Sequence, residues 1–181
     1  FSEIQKNLLF LQSYKSDGVI EEKDIVEAIP KTLQDNIFDL TQFILGKKID
    51  QARDLVRDLT LQGEDEIKLI AVMLGQFRTF TQVKILSETG QTESQIASSL
   101  GTYLGRNPNP YQIKFALRDS RGISLAFLKQ AISYLIEADY QIKTGVYEKG
   151  YLFEKALLQI AAETNWAKNL KKEDDCVIIF I

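Results

Sequence analysis

The chain has 181 residues, 45% of them apolar, and sets 22 Lys and Arg against 25 Asp and Glu, so it can bury a substantial core while carrying a formal net charge of only −3. That balance exerts no overall pull toward nucleic acid or an anionic membrane, and any basic site has to be local. There is no histidine and a single cysteine, Cys176, which excludes imidazole triads, His-containing zinc sites and internal disulfides.

The first element is a helix over Ser2 to Tyr14, with Ile4, Leu8, Leu9 and Leu11 spaced for one face and a Ser16-Asp17-Gly18 turn after it. Glu21 to Ile29 follows as a short helix with acids in its first turn and Pro30 as its stop. The pattern then lapses, placing a domain boundary near residues 30–35. Asn36 to Leu45 carries Ile37, Phe38, Phe43 and Ile44 and is closed by Gly46. Ile49 to Leu61 carries Ala52, Leu55, Val56 and Leu59 and is closed by Gly63.

Asp65 to Thr89 is long and carries two apolar stripes, one through Ile67, Ile70, Leu74, Phe77 and Thr81, the other through Leu69, Val72, Met73, Phe80 and Val83. A helix apolar around so much of its circumference belongs at the centre of a bundle. Thr92-Glu-Ser-Gln95 fits a capping box, opening a short helix through Ile96, Ala97 and Leu100 that ends at Gly101. A loop with Pro108 leads to Pro110 and a helix over Tyr111 to Arg121. Ser124 to Gly145 reads as a complete helix: Ser124 caps it, Leu128, Ala131, Ile132, Leu135, Ala138 and Ile142 form its buried stripe, Asp139 and Lys143 pair one turn apart, and Gly145 ends it. The last helix, Glu148 to Thr164, contributes Tyr151, Leu152, Ala156, Leu157 and Ile160. Beyond it come the charged run Lys171 to Asp175 and the apolar run Cys176 to Ile181.

Seven or more helices without a credible hairpin predict an all-α fold. No apolar run approaches the roughly 20 residues that span a bilayer, so no membrane span is expected. The start at Phe1, with no basic-then-apolar leader, reads as an excised piece of a longer protein, and the lone cysteine points to a cytoplasmic one.

Chemistry-bearing patterns are few. The acidic clusters at Glu21-Glu22 and Glu64-Asp65-Glu66 fall in the first turns of helices, where the macrodipole accounts for them. The glycines at 101 and 105 lack the Lys-Ser/Thr of a phosphate loop. No catalytic residue, cofactor site or metal site is expected. The strongest local signal is the segment 92–121, in which Arg106, Lys114, Arg118 and Arg121 would lie on or beside the second helix of a helix-turn-helix-like unit. It marks a DNA-binding module as the alternative function, although its connecting loop is longer than the three or four residues usual for that motif.

Several segments taken in order carry a family resemblance: Asn36-Ile-Phe-Asp-Leu40, Ala52-Arg-Asp-Leu-Val-Arg-Asp-Leu59, Gln62-Gly-Glu64, Gln76-Phe-Arg78, Gln82-Val-Lys84, Ile96-Ala97, and Leu135-Ile-Glu-Ala-Asp-Tyr-Gln-Ile-Lys-Thr-Gly145. From about Phe1 to Ala161 the chain resembles the C-terminal part of the delta subunit family of the bacterial DNA polymerase III clamp loader. The resemblance implies a remnant of an AAA+-like helical lid domain over residues 1–33, a helical collar domain over 34–166 and a tail of unassigned role over 167–181. It implies a non-catalytic part of a polymerase holoenzyme subunit. Its partners would be the other clamp-loader subunits in a hetero-pentamer and, through the parent complex, the sliding clamp and primed DNA. In this reading Asp139, Lys143 and Gly145 are a structural ion pair and cap.

Overall fold

The computed structural model describes residues 2–15, 18–29, 31–104 and 110–173. Its helices are α1 (Ser2–Tyr14), α2 (Glu22–Ala28), α3 (Leu33–Leu45), α4 (Ile49–Leu61), α5 (Glu66–Glu88), α6 (Glu93–Leu104), α7 (Pro110–Ser120), α8 (Leu125–Lys143) and α9 (Lys149–Glu173). Among the described residues there is no strand, and the all-α expectation holds. The chain divides into two compact units, Phe1–Asn36 and Ile37–Ile181.

In the first unit α1 and α2 pack together. The Asp24 carboxylate accepts from the Lys15 ammonium at 2.5 Å and from the backbone N–H of Glu21 at 2.8 Å, closing the start of α2. Both contacts favour the ionised form and hold Asp24 below the usual carboxylate range, Lys15 contributing most.

In the second unit α5 is the axis. Leu69, Ile70, Met73, Phe77, Phe80 and Val83 are all buried, and α6, α7, α8 and α9 each pack against it. Ile67, Val72, Leu74 and Thr81 are half-buried, so only a narrow line through Ala71, Gly75, Arg78 and Ile85 faces outward. α8 lies against α5 with Phe127, Leu128, Ala131, Leu135, Ala138 and Ile142 buried, and α9 packs on α8 through Leu152, Phe153, Ala156, Leu157 and Ile160. Polar contacts set the register of these faces. Thr41, fully buried on α3, has its hydroxyl 3.0 Å from Gln76 Oε1 on α5, and Tyr134 on α8 donates to Glu163 on α9 at 2.9 Å.

The helix ends follow local chemistry. Ser124 Oγ accepts from the Phe127 N–H at 3.1 Å, Asp65 Oδ1 from the Ile67 N–H at 2.9 Å, and Thr92 and Gln95 exchange the two bonds of a capping box. α8 closes on Gly145 at φ 69°, where the Gly145 and Val146 N–H groups reach back to Ile142 and Gln141.

Four expectations need correcting. α3 starts at Leu33 rather than Asn36, because Thr32 and Asp35 cap it reciprocally: the Thr32 N–H donates to Asp35 and the Asp35 N–H to the Thr32 hydroxyl, each at 3.2 Å. α3 is closed by Lys47 at φ 61°, not by Gly46. α6 continues through Gly101 to Leu104. α9 runs to Glu173, beyond the expected stop at Thr164, so residues 167–173 extend it; the apolar run Cys176–Ile181 lies outside the described residues.

Two substitutions test this account. Phe77→Ala leaves a large void on the axis and is expected to destabilise the chain by about 3–5 kcal/mol in chemical denaturation. Gly145→Ala meets no steric clash, so its expected loss of about 1 kcal/mol isolates the cost of a left-handed backbone.

Candidate functional site

Of the four basic residues marked by the sequence, Arg106 lies outside the described residues. Lys114, Arg118 and Arg121 are exposed, the first two one turn apart on α7 and the third just past its end. Arg118 is committed to its own neighbourhood. Its Nε donates to Asp119 Oδ1 at 2.7 Å and its Nη2 to Oδ2 at 3.3 Å, while the guanidinium carbon lies 4.9 Å from the centre of the Phe115 ring. Asp119 also accepts from Gln42 on α3 at 2.8 Å, and Phe115 meets Phe38 of α3 with ring centres 5.5 Å apart. The cluster therefore fastens α7 to α3. Lys84 of α5 reaches the Ser120 carbonyl at 3.4 Å and holds the end of the same helix. This geometry uses Arg118 as a packing residue and does not favour α7 as a groove-reading helix, whose base contacts need side chains free to reach outward.

Asp139 and Lys143 form an ion pair of 2.7 Å on the surface of α8. It is an ordinary pair one turn apart and contributes little to stability. The acidic clusters behave as helix starts: Asp65 caps α5, Glu64 pairs with Lys68 at 2.7 Å, and Glu21 with Asp24 forms the capping box of α2. Among the described residues no group of three or more acidic or thiol side chains is placed to hold a metal ion.

The start of α9 is held electrostatically. Glu148 accepts the Gly150 and Tyr151 N–H groups, both at 2.9 Å, which lowers its pKa below the ordinary value. Lys149 bonds Asp65 at 2.5 Å, tying the start of α9 to the start of α5, and Arg53 of α4 pairs with Glu154 at 2.7 Å. Farther along, α9 shows a feature that the sequence reading missed. Opposite its buried face, Tyr151, Glu154, Lys155, Leu158, Gln159 and Ala162 line an outward groove of about 380 Å³. Tyr151 had been expected in the core, yet it is 56% exposed, and Leu158 is 45% exposed. The spacing of 151, 155, 158 and 162 was the available signal. It was hidden because the neighbouring stripe 152, 153, 156, 157, 160 and 161 is also apolar and is the one that packs inward.

The helical unit built on α5 coincides with a known sequence family. The family model described as DNA polymerase III delta subunit, C-terminal domain, matches residues 34–160. The chain belongs to this family. It is 33% identical over 160 residues to the DNA polymerase III subunit delta of Bacillus subtilis (strain 168), a match covering 88% of the chain and 44% of that protein. The solved structure of the Bacillus subtilis DNA clamp loader delta protein is similar with a TM-score of 0.77 and 33% identity, covering 90% of this chain and 45% of that one. The chain thus spans less than half the length of either relative. Among the described residues no helix is long and apolar enough to cross a membrane.

The tie between α9 and α5 has a pH signature. Asp65 is held below its ordinary pKa, chiefly by the hydrogen bond from Lys149, so its contribution is complete above about pH 3.8 and is lost as pH falls through the lowered value. Lys149 is raised, chiefly by Asp65, so its contribution is complete below about pH 10.5 and is lost as pH rises through the raised value. Asp65→Asn retains a capping side chain and removes the charge. Thermal melts are expected to show this variant below the unmodified chain at neutral pH, with the gap closing at both extremes and shrinking with added salt.

Proposed function

We propose that this chain is an assembly piece of a clamp-loader delta subunit: residues 34–166 act as a collar domain that joins the other loader subunits, and residues 1–33 are the end of a helical lid domain. In this reading the whole subunit takes part in placing a sliding clamp on primed DNA during chromosomal replication, and this region contributes interface rather than bond making.

The observation that carries the reading is the family match over residues 34–160 combined with the kind of surface that the helical unit presents. Its polar clusters resolve into caps and ion pairs between helices, as at Asp65, Glu148 and Asp119, while apolar side chains remain on the outside at Leu61, Ile136, Tyr140, Tyr147, Tyr151 and Leu158. A surface of that composition suits burial against other helical domains.

Mixing the chain with the remaining loader subunits and measuring mass by light scattering after size exclusion checks this. One copy is expected to enter the complex, and an excess is expected to displace full-length delta subunit. A mixture in which the chain always elutes alone and leaves loader assembly unchanged would contradict the proposal.

A further inference from the structure

We infer that α4 is a detachable strap: it undocks and re-docks as a unit while α5, α8 and α9 stay folded together, so the second unit has two conformations that differ in this helix. The inference concerns the chain by itself and does not depend on the assembly reading above.

α4 is lightly held. Ala52 and Leu59 are its buried residues, and Leu55 and Val56 are half-buried. By comparison α8 buries Phe127, Leu128, Ala131, Leu135, Ala138 and Ile142, and α3 buries Ile37, Leu40, Thr41 and Ile44. α6, α7, α8 and α9 lie along α5, whereas α4 rests on α9. Buried apolar surface is what opposes local opening, and α4 contributes little of it. The Arg53–Glu154 pair that ties it to α9 joins side chains 61% and 41% exposed, where solvent screening keeps such a pair weak.

The ends of α4 favour opening. It lies between two left-handed residues, Lys47 at φ 61° and Gly63 at φ 90°. Glycine takes that conformation freely, but in lysine the Cβ crowds the following carbonyl oxygen. The turn holds Lys47 there by a bond from the Lys48 N–H to the Phe43 carbonyl at 2.8 Å. Docking therefore carries a backbone cost that opening of the turn releases. The start of α4 also lacks a side-chain cap at Lys48, whereas Asp65 caps α5 and Ser124 caps α8.

Undocking separates Arg53 from Glu154 and brings Ala52, Leu55, Val56 and Leu59 to solvent, with the axis intact. Charge and apolar surface thus change together at one place. Anything that binds one conformation better than the other shifts the balance between them.

Native-state amide exchange on the full chain, at neutral pH and low denaturant, tests this. The amides of residues 53–61 are expected to share one opening, to exchange roughly tenfold or more faster than those of 69–83, and to show a smaller denaturant slope because less surface is exposed. Phe77→Leu removes volume from the axis in the docked and undocked states alike. It is expected to speed α5 and α8 amides several-fold and to leave α4 unchanged. Leu59→Ala weakens docking itself, so α4 and α5 should speed by the same factor, roughly thirtyfold or more, since unfolding of the axis includes loss of the strap. Lys47→Gly removes the strain and should slow α4 roughly two- to fivefold. The inference is overturned if Phe77→Leu speeds α4 and α5 equally, because α4 would then leave only with the whole unit. Should that variant not fold, the unmodified chain decides alone: equal denaturant slopes for 53–61 and 69–83, or residue-by-residue rates in 53–61 with no slope, overturn it.

Discussion

Burial of α5 is the constraint on which the rest of the second unit depends. Six of its side chains, from Leu69 to Val83, lie on one broad inward face, and Phe77 with Phe80 forms an edge-on aromatic pair within it, ring centres 6.2 Å apart. Such a helix is stable only when wrapped, since most of its length is unsuited to water. The wrapping sets the positions of the other helices: α8 and α7 lie along it, α6 and α9 complete the enclosure, and α3 is registered by Thr41 against Gln76. Dense packing of this kind responds sharply to loss of volume, and the outer helices inherit their placement from it.

Because the axis uses its apolar surface internally, surface left over for partners has to come from the outer helices. α9 shows this division most clearly. Its two apolar stripes face in different directions, one toward α8 and α5, the other toward solvent. Burial of Leu152, Phe153, Ala156, Leu157 and Ile160 against α8 holds the helix in place, and surface ion pairs at Lys149–Asp65 and Arg53–Glu154 join its start to α5 and α4. A preorganised surface loses little conformational freedom on association, which suits the assembly role proposed for this domain.

Much of the helical layout was legible because its signals are local. Ser124, Asp65 and Thr92 act as the caps that their positions suggested, and Gly63, Gly90 and Gly145 all adopt positive φ at helix ends. The departures have equally local causes. Thr32 with Asp35 is a capping pair in which Asp replaces the more usual Glu or Gln, and the left-handed residue after α3 is Lys47, one position beyond the glycine that seemed made for it. Gly101 did not stop α6, because one glycine costs a helix only about 1 kcal/mol relative to alanine and packing can outweigh that.

The surface was harder to read than the core. An apolar period shows that a stripe exists but not which of two stripes turns inward, and for that reason Tyr151 was misplaced. Basic residues on α7 were visible as a row, whereas the engagement of Arg118 by Asp119 and Phe115 depends on three-dimensional neighbours, Gln42 and Phe38 among them. Family membership carried what periodicity could not, because it draws on the order of many short segments at once.

Amide hydrogen exchange, read on the chain alone and again in the assembled loader, tests the central claim most directly. The account expects the amides of residues 69–83 in α5 to be the slowest in both states, exchanging only through global unfolding. Slowing on assembly should then be confined to outer helices, with α9 among them. Fast exchange along α5 in the free chain, with protection appearing only on assembly, would contradict the account, because the axis would then depend on its partners rather than support them.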